Sequence, residues 1–126
     1  MAAPRYPYET RLNILCQPLE LIDEKALADD CAYKWYNQTL CQVNDSVVRL
    51  GVVEGEYHWH KHDDTDEFFM VLDGELVIDV EDRDSVRLSR HQSYTVPRTV
   101  VHRTRAPVRT VILMVENAGI IPTGNS

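Results

Sequence analysis

At 126 residues, 44% hydrophobic and 26% charged, the chain has the size and make-up of one globular domain rather than of a disordered or fibrous protein. Its formal net charge of −7 argues against the dense positive face that nucleic acid or an anionic lipid surface requires, and no run approaches the roughly 20 apolar residues of a membrane span. Residues 1–10 lack the apolar core of a secretion signal, and the three cysteines, Cys16, Cys31 and Cys41, have no metal or redox spacing, so reduced thiols in a cytoplasmic chain are expected.

Residues 1–18 carry three prolines and little periodicity, which predicts an extended arm lying across the domain or reaching a partner subunit. Residues 23–30, DEKALADD, fit two helical turns with Asp23 as the cap and acidic residues in the first turn. Arm and helix together make residues 1–31; residues 32–126 read as strands.

The first strands fall at 33–43 and 47–53, separated by the turn Asn44-Asp45. The alternation of a strand places His58, His60 and His62 on one face. Run back without interruption, that face would take in Glu54 and Glu56 and turn Val53, Tyr57 and Trp59 outward; a bulge at or near Gly55 removes the conflict. Residues 63–66 form a polar turn, followed by a strand at 67–72, a turn at Asp73-Gly74, and further short strands at 75–80, 85–88, 94–96, 100–104 and 108–116. Evenly spaced short strands with no long helix point to an all-β sandwich or barrel, of which the jelly roll is one form. Residues 68–72 are apolar on both parities, so one face packs in the barrel and the other against a second sheet or subunit, and a homodimer is expected.

The sequence His60-Lys61-His62-Asp63-Asp64-Thr65-Asp66-Glu67 reads H-x-H-x4-E. Two histidines one residue apart on a strand project side by side, and a glutamate beyond the turn completes an N, N, O donor set suited to Fe, Mn, Zn, Ni or Co. His102, after Pro97 on a later strand that returns to the same barrel, is the fourth donor. His58-Trp59-His60 is a second H-x-H, but it leaves six residues before Glu67. With His60 and His62 as the pair, His58 becomes either a pocket-facing acid–base group, such as a proton shuttle, or a structural histidine at the barrel rim. His91 reads as ordinary surface, and Tyr57, Trp59, Phe68, Phe69 and Met70 as barrel core or dimer contact. Arg98, Arg103, Arg105 and Arg109 are either solvated positions near a pocket mouth or a means of attracting an acidic small substrate.

From about residue 44 to its end the chain resembles a small single-domain cupin of the mannose-6-phosphate-isomerase-like kind. His60, His62, Glu67 and Gly74 match the first cupin motif, with six residues between Glu67 and Gly74, and Pro97 and His102 match the second. The closing stretch, Val115 through Asn125, resembles the last strand and tail of a group of small bacterial cupins. The resemblance implies a double-stranded β-helix, or jelly-roll barrel, with one divalent metal per chain on His60, His62, Glu67 and His102. Where the second motif normally has glycine this chain has His91 and Thr99, and a left-handed residue costs about 1 kcal/mol more when it is not glycine. The two turns are therefore expected to be remodelled.

A metal in such a cavity, with one or two open positions, can act as a Lewis acid in isomerase, lyase, cyclase or hydrolase chemistry, or as redox-active iron in a dioxygenase. A metal-dependent enzyme acting on a small oxygen-rich molecule is the leading expectation. A non-catalytic binding or sensing module whose metal anchors a ligand is the alternative, and an accessory dimer with a closed structural site is a third.

Overall fold

The computed structural model describes residues 9–120 and 122–125, so the first eight residues of the expected arm lie outside the described residues. From Glu9 on, the arm is more ordered than its prolines suggest. It forms a short strand β1 (Glu9–Arg11) parallel to β2 (Trp35–Val43), and the Leu15 and Cys16 amides donate to the Thr39 and Leu40 carbonyls. The helix α1 (Glu24–Asp29) is where the cap predicts it: the Asp23 side chain accepts from the Ala26 amide at 3.0 Å, and Lys25 pairs with Asp29 one turn on.

The remaining strands are β3 (Ser46–Glu56), β4 (Glu67–Asp73), β5 (Glu75–Val80), β6 (Val86–Ser89), β7 (Ser93–Val96) and β8 (His102–Asn117). Among the described residues they join β1 and β2 in one open sheet with the path β1-β2-β3-β8-β4-β7, while β5 bridges β8 to β6. The sheet folds back on itself as a jelly-roll barrel. Its pivot is β8, where the two expected strands at 100–104 and 108–116 are one. The C-terminal half of β8 pairs with β3 and β4, and its N-terminal half pairs with β5. Between the halves the β3 partner jumps from Thr110 to Ala106 while β3 itself moves only from Val53 to Gly55. The register shifts at Gly55, whose φ is +104°, where a bulge is expected, but the side-chain phase does not: Val53 and Tyr57 both face the interior, and the phase changes only between Tyr57 and His60. The extra residues lie on the opposite strand, at 107–109, and the first of them, Pro107, has no amide to give the ladder.

Two apolar cores follow from strand alternation. Trp35, Val53, Phe69, Val71, Leu76, Ile78, Ile112 and Met114 fill the barrel. Leu40, Leu50, Val52 and Val111 face outward and are covered by Ala28 of α1, with Leu27 and Leu72 packed beside them. Leu72 thus packs on this chain's own second core, which accounts for part of the second apolar parity of β4 without a partner. No helix among the described residues is long and apolar enough to cross a membrane.

His91 and Thr99 correct an expectation. Both keep a left-handed backbone, with φ of +72° and +70°. The turns are not remodelled: the His91 amide donates to the Val71 carbonyl at 2.8 Å and the Thr99 amide to the His62 carbonyl at 2.7 Å. These tertiary bonds hold a conformation that neither side chain favours.

Candidate metal centre

The histidine segment is extended but is not a regular strand; it docks on the start of β8. The Tyr57 amide donates to Thr104, and His60 and His102 exchange backbone bonds of 2.9 Å in an isolated antiparallel bridge. Opposite residues share a face, so the two imidazoles come within 4.5 Å, centroid to centroid. His62, two residues on, lies beside His60 at 5.0 Å, and Glu67 enters from the first position of β4. Ligand atoms of His60, His62, Glu67 and His102 all lie within 4.8 Å of one another. His58 stands outside this group. Its ring stacks on Tyr57 at 4.3 Å, and its Nε2–H donates to the Thr123 carbonyl at 2.8 Å.

Hydrogen bonding fixes which nitrogens face inward. Nδ1 of His60 meets the His58 carbonyl at 2.9 Å and Nδ1 of His102 the Val100 carbonyl at 3.0 Å. A carbonyl only accepts, so each Nδ1 carries the hydrogen and each Nε2 keeps a lone pair. Nε2 of His102 and of His62 lie 3.3 and 3.4 Å from the same Glu67 oxygen, Oε1. Among the described residues, neither nitrogen of His62, which is only 3% exposed, has a hydrogen-bond partner. Buried lone pairs facing a buried carboxylate are an arrangement that a bound cation satisfies, and the N, N, N, O set suits a first-row divalent ion. These residues could hold a metal ion.

Charge at the centre follows the same logic. Burial lowers His60 to about 4, with the neighbouring His102 and His62 contributing, so His60 is neutral at pH 7 and its lone pair is available. Burial works to raise Glu67; where His102 and His62 carry a hydrogen on Nε2 and no cation lies between, their hydrogen bonds to the carboxyl, with that of Glu116, outweigh burial and hold it below its ordinary range. Glu116 goes the other way, pushed up to about 9 by burial and by the Glu67 charge.

Behind the cluster lies a narrow cavity of about 40 Å³ inside the barrel. Trp35, Val53, Tyr57, Phe69, Ile112 and Met114 form its apolar wall, Asn37 and Thr104 add polar groups, and His60 and Glu67 close one side. Tyr57 stacks on Trp35 at 5.3 Å, so an aromatic ladder runs from the cavity wall to His58 at the rim. The tail crosses this rim. The Asn125 amide donates to the Lys61 carbonyl, the Asp63 amide donates to the Asn125 side chain, and a Cβ on Gly124 would lie 2.5 Å from the His60 Cβ.

The four arginines lie away from the cavity wall. Arg103 and Arg105 alternate with the buried His102 and Thr104, point outward and share Asp79; Arg98 meets Asp66, and Arg109 donates to the Ala28 carbonyl. Their interactions account for them as strand and loop cations. Trp59, exposed, lies under Arg103, and Phe69 is the core aromatic of β4.

Sequence reasoning passed over Asn37, Arg49 and Glu116. The signal was present: Arg49 and Glu116 are single charges of opposite sign inside apolar strand runs, at inward-facing positions.

Comparison with known proteins agrees with this geometry. A family model described as "Cupin domain" matches residues 46–116. The chain is 48% identical over 92 residues to "Uncharacterized protein YdbB" of Bacillus subtilis (strain 168), covering 73% of this chain and 81% of that one. Among solved structures, a cupin-2 domain containing protein from Shewanella frigidimarina NCIMB 400 superposes with a TM-score of 0.72 at 31% identity, covering 77% of this chain and 94% of its own. A cupin superfamily protein from Desulfitobacterium hafniense DCB-2 shares the fold at 20% identity, with a TM-score of 0.66 over 86% of this chain and 98% of its own.

Proposed function

The chain belongs to the cupin family, and on that premise we propose that it is a metal-dependent enzyme acting on a small oxygen-rich molecule, with one divalent ion on His60, His62, Glu67 and His102. The observation that supports this most is the convergence of four donors, within 4.8 Å of one another, at the edge of a cavity inside the barrel. When bound, the ion supplies Lewis-acid polarisation or, if it is iron, a site for oxygen. The chain's own residues orient what enters: the aromatic wall packs on its apolar parts, and Asn37 and Thr104 offer hydrogen bonds to hydroxyl or carbonyl oxygens. A proton-carrying role for His58 requires its bond to Thr123 to open.

A binding or sensing role is the second reading, and the cavity itself favours it. Its ionisable lining consists of His60, Glu67 and Tyr57, so a general acid or base beyond the ligand set is scarce. Assays separate the two. Oxygen uptake with phenols and keto acids, and NMR of sugars and hydroxy acids, should show product formation with the metal-loaded protein. Saturable ligand binding with no product from any of them would support the anchor role instead.

We further propose a homodimer. Leu12, Ile14 and Leu15 on the described part of the arm, and Leu19 and Leu21 just after it, are exposed, and their burial between copies is the simplest account of so much open apolar surface. Light scattering at micromolar concentration should give twice the 14.5 kDa chain mass; a single-chain mass removes the proposal. The three free cysteines support a reducing, cytoplasmic location.

A further inference from the structure

The inner wall of the barrel carries a polar row where apolar packing would be expected. Phe68 pairs with Val115 on β8, and the adjoining residues of the two strands, Glu67 and Glu116, are in side-chain contact. Carboxylates in contact across neighbouring strands repel each other. On the other side of β8, Val47 pairs with Glu116 and Arg49 stands two residues along β3, where its Nη1 lies 3.3 Å from Glu116 Oε1. The Arg49 Nε–H donates to Asn37 Oδ1 on β2 at 3.0 Å. Four neighbouring strands thus contribute Asn37, Arg49, Glu116 and Glu67 in sequence, ending at the metal centre.

This row is costly to keep for stability alone. The Arg49 and Glu116 side chains are each 2% exposed, and among the described residues Arg49 Nη2 and Glu116 Oε2 have no hydrogen-bond partner. A buried pair of this sort is often matched or bettered by apolar residues of similar volume, and Phe69, Ile112 and Met114 on the same wall show that such residues pack here. Glu67 supplies a reason for the pair. Its carboxyl must turn one oxygen toward His62 and His102, and a glutamate side chain has three rotatable bonds with which to turn elsewhere.

We infer that Arg49 and Glu116 are positioning residues, which hold the Glu67 carboxyl against the histidines from behind and so set the affinity and coordination of the bound ion. The inference rests on the metal-centre reading above. Outer partners of this kind change metal affinity by about 10- to 100-fold when removed.

The test is cobalt(II) binding in competition with a chromophoric chelator, together with the visible absorption of the cobalt(II) protein. Arg49→Met/Glu116→Leu replaces the pair with apolar side chains. It should leave the melting temperature of the metal-free protein at or above wild type, while cobalt(II) affinity falls about 10- to 100-fold and the absorption bands shift. A double variant with wild-type affinity and an unchanged spectrum overturns the inference. If the double variant does not fold, Arg49→Met alone carries the same expectation for affinity and spectrum, though not for stability, and an unchanged affinity there has the same force. If wild type takes up no cobalt(II), the metal centre itself fails and takes this inference with it; wild-type binding that Glu67→Gln abolishes keeps the two outcomes apart.

Discussion

His60 and His102 exchange two backbone hydrogen bonds of 2.9 Å, and this bridge brings imidazoles 42 positions apart in the chain to 4.5 Å. The candidate centre is therefore built on backbone pairing, and the tail reinforces it. Gly124, at φ +94°, packs where an added Cβ would sit 2.5 Å from His60 Cβ and 3.0 Å from the Lys61 carbonyl. Gly124→Ala combines a left-handed strain of about 1 kcal/mol with that contact. It should weaken metal binding while the barrel stays folded by circular dichroism. Unchanged affinity in Gly124→Ala would show that the tail does not support His60.

Thr99 and His91 hold glycine-like conformations with exposed side chains that lose little on removal. Relief of the left-handed strain outweighs the added chain entropy, so His91→Gly should stabilise the protein by about 0.5–1 kcal/mol in urea unfolding. Thr99→Gly should gain more, because a β-branched residue is the worse fit there. Loss of stability in both variants would mean that the turns depend on those side chains.

Asp79 accepts hydrogen bonds from Arg105 Nε at 2.7 Å, Arg103 Nε at 2.8 Å and the Ser85 hydroxyl. The Arg105 bond, against the opposing effect of burial and with help from Ser85 and Arg103, holds its carboxyl well below the usual range. A depressed carboxylate contributes its stability above the unfolded value of about 3.9 and loses it as pH falls below that point. Asp79→Asn should therefore cost about 1.5–3 kcal/mol at pH 7, and the difference from wild type should close as the pH is lowered from 4 toward 2. A gap between the two curves that does not depend on pH would locate the loss in packing instead of charge.

Much of this was legible in the sequence because it depends on local rules. Period-two alternation and turn residues located most strands, the conflict of parity at Gly55 anticipated the irregular pairing there, and the H-x-H-x4-E spacing selected His60 and His62 over His58. What local rules could not supply was pairing across the chain. The union of two expected strands into β8 depends on which partners flank each half, and the Asn37–Arg49–Glu116–Glu67 row exists only once β2, β3, β8 and β4 lie side by side. The left-handed backbones at His91 and Thr99 were misjudged for the same reason, since the bonds that hold them come from Val71 and His62.

The central claim is that His60, His62, Glu67 and His102 bind one divalent ion, and the direct measurement is metal content by plasma mass spectrometry. The protein is purified without chelator or affinity tag, with His62→Ala and His58→Ala alongside. The account predicts close to one ion per chain in wild type and in His58→Ala, and its loss in His62→Ala. A wild-type protein that carries no metal, even after incubation with Fe, Mn, Zn, Ni and Co, would contradict it.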